Sequence, residues 1–247
     1  MNRVLDRLLT LLMLALLGWA GFSAVHWLLF SADWRVVTDN LPLYALGGYP
    51  LDQRWRPLVW IALLILMTAI TLVGPRQGWL RRGLPALWSL MVPLGVVLLA
   101  GGLGLQPVPT REWGGFSLTL LLTVCSAVLS LPAGVLLALG RRSELPVLRL
   151  ASSAYIEVMR AVPLIAVLFF GQLLIPLFLP PGLELNRVLR AVIAFALFAA
   201  AYIAEDVRGG LQAIPPTQTE AAAVLGLSPF QSLRLVVLPQ ALRIALP

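Results

Sequence analysis

The sequence predicts an all-α polytopic membrane protein, and three observations carry that prediction. Of its 247 residues, 60% are hydrophobic and only 12% charged, about half the charged share of an ordinary soluble domain. The mean hydropathy is +0.91. The apolar residues also gather into runs close to the roughly 20 residues a helix needs to cross a bilayer. Six such runs fall at about 8–30, 57–74, 84–105, 117–139, 161–179 and 188–204.

The first run follows MNRVLDR and superficially looks like a secretory leader. It is too long for a leader's apolar core and lacks a small-x-small cleavage pattern, so it reads as a retained first span. Orientation then follows from arginine, because the net charge of +7 comes from a chain without lysine. Arg3, Arg7, Arg76, Arg81, Arg82, Arg141, Arg142, Arg149, Arg208, Arg234 and Arg243 lie in alternate connecting segments, with Arg160 close to the same side. The opposite segments hold Arg35, Arg54, Arg56, Arg111, Arg187 and Arg190. The positive-inside tendency therefore puts the N-terminus and the residues after 204 in the cytoplasm. Arginines spread in short clusters between apolar runs fit topology better than a nucleic-acid surface.

Several chemistries are disfavoured by composition. Without lysine the chain has no phosphate loop of the GxxxxGK[ST] type. One histidine, His26, and one cysteine, Cys125, allow no His-based metal cluster, triad or internal disulfide. The centres of the six runs hold no Asp or Glu, which argues against a proton- or sodium-coupled carrier. Nor does the chain show HExxH, a nucleophile elbow or paired intramembrane carboxylates, the marks of a membrane-embedded enzyme. Pro93, Pro132 and Pro176 are potential kinks, and AGGLG at 100–104 allows close packing or a flexible exit. No internal repeat is evident. LQPVPTREWGG, 105–115, is the best linker, dividing an N-terminal part of about three spans (1–107) from a second part (113–247).

The segment PPTQTEAAAVLGLSPFQSLRLVVLP, 215–239, has a different character. It reads as helix, turn, helix. Thr217 and Glu220 have the spacing of a capping box, a helix is expected over 218–225, and Gly226 suits a left-handed C-terminal cap. Ser228, Pro229 and Gln231 start a second helix with an S-x-x-Q box, and Pro239 is expected to end it. Ala221, Ala222 and Ala223 form a face without bulk, suited either to close docking or simply to helix formation.

Glu220-Ala221-Ala222, Gly226 and Val236-x-Leu238-Pro239 resemble the EAA signature, EAA-x3-G-x9-I-x-LP, of ATP-binding-cassette (ABC) importer permeases, with Val236 for the usual Ile. YIEVMRAVPLIAVLFFGQLLIPLFLP (155–180) and AAYIAEDVRGGLQAIP (200–215) resemble the polar amino acid group. The chain as a whole is similar to membrane subunits of the general L-amino acid uptake family, more strongly from about residue 113 onward. The resemblance implies a type I importer transmembrane domain whose cytoplasmic coupling helix enters a cleft of an ATPase subunit. Glu220, Ala221, Ala222 and Gly226 would make that contact, and Leu238 and Pro239 would anchor the return to the membrane. Implied partners are an ATPase dimer that binds ATP and Mg, a second permease subunit (a paralogue is favoured), an amino-acid-binding protein outside the membrane, and an L-amino acid as cargo. The implied location is a bacterial inner membrane, with no catalysis in this chain.

Departures from the pattern are Thr217 for a frequent Gly, Ala161 for Gly in Arg-Gly-Val-Pro, and Asp206 for an apolar residue, read as a solvated carboxylate near Arg208. Family members continue beyond LPQALRIALP with further membrane sequence. The expectation is therefore a core lacking its final span, and the competing reading is a non-transporting structural subunit.

Overall fold

The computed structural model describes residues 3–74, 78–180 and 182–245. They divide into two units, 1–44 and 45–247. Arg76 of the orientation argument lies outside the described residues.

In the first unit, α1 (Arg3–His26) runs on through a π-helical turn, Trp27–Ser31. Residues Leu5–Ser31 are long and apolar enough to cross a bilayer, and none of that stretch is buried within the chain. The Trp34 indole N–H closes the helix end by donating to the Leu28 carbonyl at 2.8 Å. The single turn α2 (Arg35–Thr38) follows, and α3 (Leu41–Leu46) continues the chain into the second unit.

The second unit is built on α4 (Trp55–Val73), α5 (Gly78–Ala100), α6 (Gly115–Arg141) and, after a broken segment, α10 (Arg187–Ala213). The broken segment is α7 (Pro146–Ala161), α8 (Leu164–Phe169), a π-helical turn at Phe170–Leu174 and α9 (Ile175–Phe178). Then come α11 (Pro216–Val224), α12 (Pro229–Ser232), a π-helical turn at Leu233–Val237 and α13 (Leu238–Ala245). Among the described residues, five helices are individually long and apolar enough to cross a membrane.

The expected run at 161–179 corresponds to the segment Leu164–Phe178, which a sharp bend sets off from the helix before it. Helix α7 ends at Ala161, the next begins at Leu164, and the two meet at a 106° bend. The cause is Val162-Pro163. Val162 is extended, with φ −90° and ψ 136°, because proline disfavours helical geometry in the residue before it. The last expected run is longer than 188–204: α10 covers 27 residues, and its final turns carry Glu205, Asp206 and Arg208 beyond the apolar stretch.

Two cores form. One gathers Trp60 and Leu64 of α4, Met91 and Leu99 of α5, Leu121 and Val124 of α6, and Val192 of α10. The second joins Ala138, Ile156, Ala204, Val207, Leu211 and Ala241, from α6, α7, α10 and α13. The connection over 105–115 is itself packed. Val108 and Trp113 lie in the first core, the Trp113 indole donates to the Val108 carbonyl at 3.1 Å, and buried Arg56 donates to the Gln106 carbonyl at 2.7 Å. The Tyr49 hydroxyl donates to the Leu99 carbonyl at 3.0 Å. Burial pushes its pKa above the ordinary value, which keeps the phenol a donor.

Helices α6 and α10 approach closely at Gly134. A Cβ there would lie 2.6 Å from Ile203 Cγ2 and 2.9 Å from the Ala200 carbonyl oxygen. Without a hydrophobic driving force between helices in lipid, such close backbone approach supplies the packing. Gly134→Val is expected to lower stability by about 1–3 kcal/mol, as overpacking does. Denaturant titration of the purified protein in detergent measures this, and an unchanged midpoint would show that the crossing tolerates bulk.

Candidate functional site

The bracket at 215–239 begins with two adjacent prolines. Pro215 is extended, with φ −62° and ψ 143°, and Pro216 opens α11, where its missing N–H has no partner to lose. Thr217 therefore lies inside the first turn, and the Thr217–Glu220 capping box expected from spacing does not form; the N-cap is Pro215. The helix ends as expected. Gly226 has φ +77°, its N–H bonds the Ala223 carbonyl at 2.9 Å, and the Leu227 N–H bonds the Ala222 carbonyl at 3.1 Å. These two bonds make a Schellman cap.

Ser228 then caps α12 with the expected box. Its hydroxyl accepts from the Gln231 N–H at 3.3 Å, and the Gln231 side chain accepts from the Ser228 N–H at 2.9 Å. Pro239 does not end the second helix, which continues to Ala245. The π-helical turn before it explains why: the Leu238 N–H reaches back to the Leu233 carbonyl. This widened turn makes room for a proline that has no N–H and would otherwise press on a carbonyl one turn back.

The bracket is held to its surroundings at two points. The Gln240 side-chain amide donates to the Gln218 side chain at 3.1 Å and to the Val236 carbonyl at 2.9 Å. Ala241 of α13 sits fully buried against Gly210 of α10. Of the carried-over residues, Glu220, Ala221, Gly226 and Pro239 are exposed and Leu238 is half-buried. Ala222 is 2% exposed, so it faces the chain's own packing and its small size serves the interior of the bracket. Sequence reasoning missed the apolar tip that this fold creates. Val224, Leu225 and Phe230 are 88%, 79% and 68% exposed around the Gly226 turn. Their apolar character is plain in the sequence, but only the turn geometry brings them to one end.

Beside the bracket, Glu205 of α10 gathers a charge network that spacing could not reveal. Its carboxylate pairs with Arg141 at the end of α6 at 3.2 Å, with Arg160 of α7 at 3.5 Å, and with Arg208 one turn on. Arg141 also reaches Glu157 of α7 at 3.3 Å, and the Arg160 guanidinium lies 5.9 Å from the centre of the Tyr202 ring. The Arg208–Glu205 spacing was visible; the Arg141 contact joins residues 64 apart in sequence. Asp206 is exposed, as expected, while Arg208 turns to Glu205. Among the described residues no group of three or more His, Cys, Asp and Glu is placed to hold a metal ion.

Residues 130–247 match the family described as binding-protein-dependent transport system inner membrane component. The chain is 40% identical over 232 residues to the inner membrane amino-acid ABC transporter permease protein YhdY of Escherichia coli K12, covering 93% of this chain and 63% of the relative. It is 38% identical over 272 residues to BztC of Rhodobacter capsulatus, a glutamate/glutamine/aspartate/asparagine transport system permease protein, with 88% and 63% covered. It thus spans less than two thirds of the length of these relatives. A solved structure of an amino acid ABC transporter with histidines is 35% identical, with 52% of this chain and 59% of that one covered and a TM-score of 0.46.

Two expectations test the local design. Ser228→Ala removes one side of the capping box, worth about 1 kcal/mol, so backbone amides over 229–237 should exchange hydrogen about fivefold faster, while unchanged exchange would show the cap to be idle. Glu205→Gln leaves Arg141 and Arg160 without their shared counter-charge. It should reduce stability by about 1–2 kcal/mol in the same detergent titration, an effect discounted for the partial exposure of the cluster.

Proposed function

We propose that this chain is the membrane-spanning permease subunit of an ATP-driven importer that moves L-amino acids across the inner membrane. The observation that carries the reading is the EAA bracket. Its signature residues build a short helix capped at its C-terminal end and tethered through Gln218–Gln240, and that helix presents Val224, Leu225 and Phe230 to solvent. An apolar tip on a stiff, polar-flanked support suits insertion into a partner's groove. The names of the related permeases point to amino acids as cargo.

In this reading the chain hydrolyses nothing, in keeping with a sequence that lacks lysine and hence a phosphate loop. ATP and Mg are bound by a separate pair of ATPase subunits, which close on ATP and push on the coupling helices. Glu220, Ala221 and Gly226, with the apolar tip, form the docking surface. Leu238 and Pro239 lie where the chain leads back from the bracket, and Ala222 keeps the bracket shut. The tethers to α10 pass the push into the bundle, which rocks between inward- and outward-facing arrangements as a rigid-body switch. The bracket and the N-terminus face the cytoplasm, an amino-acid-binding protein delivers cargo on the other side, and a second permease, favoured as a paralogue, completes the pathway.

Site-specific crosslinking tests the docking. In a Cys125→Ser background, single cysteines replacing Glu220 and Leu225 should crosslink to the co-expressed ATPase subunit, and ATP should change the yield. A cysteine at buried Ala222 should not react. Absence of crosslinks at both exposed positions, in a correctly inserted and assembled complex, would overturn the docking role.

A further inference from the structure

The axis of α7 (Pro146–Ala161) meets that of the apolar segment Leu164–Phe178 at 106°, close to a right angle. α7 also touches two other helices where their apolar runs give way to charge. A side chain on Gly140, next to the end of α6, would collide with Ser152. Arg141 reaches Glu157 at 3.3 Å, and Arg160 reaches Glu205 of α10 at 3.5 Å. A helix nearly perpendicular to an apolar membrane segment, and packed at the level where two spans become charged, lies along the membrane surface.

The faces of α7 are sorted to match. Ile156 is fully buried in the second core. The Tyr155 side chain points toward the bilayer centre, since its hydroxyl donates to the Leu197 carbonyl, about two turns of α10 inside Glu205. One turn to either side, Ala151 and Val158 share the Tyr155 side of the helix, and Val147, Leu150 and Ala154 extend the stripe. All five are exposed, Val147 and Leu150 by 78% and 73%. Arg149, Ser153, Glu157 and Arg160 take the remaining side. Apolar residues on the bilayer side and charge on the other make the layout of an interfacial helix rather than of a span.

The charge has a sign. Arg142, in the loop before α7, and Arg149 within it are exposed and join no ion pair among the described residues. Glu144 of the same loop is exposed too, while Glu157 engages Arg141, so arginine is in excess here.

We propose that α7 is a lipid-anchoring helix, lying in the headgroup–acyl boundary of the cytoplasmic leaflet with anionic phospholipid as its partner. The choice of leaflet rests on the cytoplasmic placement of the bracket, which lies at the same end of α10. Val147, Leu150 and Val158 sink among acyl chains to a depth of about 5–10 Å, and Arg142 and Arg149 extend to lipid phosphates. The cytoplasmic leaflet is negative, and each arginine near such a surface contributes about a fivefold gain in affinity. A second copy or another apolar helix would cover the stripe but leave these arginines without a counter-charge, whereas anionic headgroups answer both features. Through Ile156 and Glu205 the anchor is tied to α10, so it sets the level at which the bundle sits in the bilayer.

The test uses single cysteines in a Cys125→Ser background of the full chain, assembled with its ATPase and partner permease in liposomes and labelled with bimane. Labels on Leu150→Cys and Val158→Cys should be quenched by lipid with brominated acyl chains, and a label on Ser153→Cys by aqueous iodide instead. At equal mole fraction, brominated phosphatidylglycerol should quench the two apolar-face labels about twofold more than brominated phosphatidylcholine. Arg142→Gln combined with Arg149→Gln should erase that preference and leave the quenching by phosphatidylcholine. Apolar-face labels that neither brominated lipid nor iodide reaches would give the face to a protein partner and overturn the proposal. Labels that iodide alone reaches would overturn it too, and equal quenching by the two lipids would overturn the anionic partner. The leaflet is read separately: Ser153→Cys should react with an impermeant maleimide in inverted vesicles and not in spheroplasts. The reverse would overturn the cytoplasmic assignment. ATP-driven uptake by the unsubstituted complex is measured in parallel; its absence would overturn the importer reading, while quenching still decides where α7 lies.

Discussion

The pairing of α6 with α10 is the contact on which the second unit depends. Two helices of 27 residues each approach closely because Gly134 has no side chain and because Ala200, Ala201 and Ala204 on the facing helix are small and fully buried. In a bilayer, apolar bulk gains little by leaving lipid for protein, so shape and close approach decide which helices associate. α10 also takes part in both cores, contributing Val192 to one and Ala204, Val207 and Leu211 to the other. The two ends of the bundle are thereby joined by one continuous rod.

Several elements take their place from that rod. α7 lies against it through Ile156 and through the Tyr155 hydroxyl, which donates to the Leu197 carbonyl at 2.9 Å. α13 reaches it at Gly210, where a side chain would collide with the Ala241 carbonyl. Glu205 locks the ends of α6 and α7 to it through arginine. A push on the bracket would therefore reach α10 by short, well-packed contacts: Gln218 to Gln240, and Ala241 to Gly210. The sharp bend at Val162-Pro163 separates α7, which belongs to this end, from α8 and the π-helical turn, which belong to the other. Proline chemistry thus separates the amphipathic α7 from the apolar segment that follows it.

The same principle explains why the sequence reading succeeded at some turns and failed at others. Gly226 and the Ser228–Gln231 box were legible because each is decided within four residues by backbone geometry and one hydrogen bond. The Thr217 box was equally plausible in spacing but lost to Pro215-Pro216, whose ring constraints set the helix start before a side chain could. Pro239 was expected to stop a helix that continues, because a π-helical turn absorbs the missing N–H. The run at 161–179 gave no sign of the sharp angle it makes with α7, because hydropathy does not register direction.

The amino-acid sequence by itself determined that the chain is helical and membrane-embedded, where most of the helices run, and that an EAA bracket follows α10. These properties are local: composition, periodicity, caps and a motif with fixed spacing. Only the tertiary structure decided that Ala222 faces inward while Val224, Leu225 and Phe230 form the tip. It also decided that Arg141 and Arg160 converge on Glu205. Those arrangements join residues tens of positions apart, and they depend on how closely two helix backbones can approach, which the glycines and alanines permit but which no single stretch of sequence specifies.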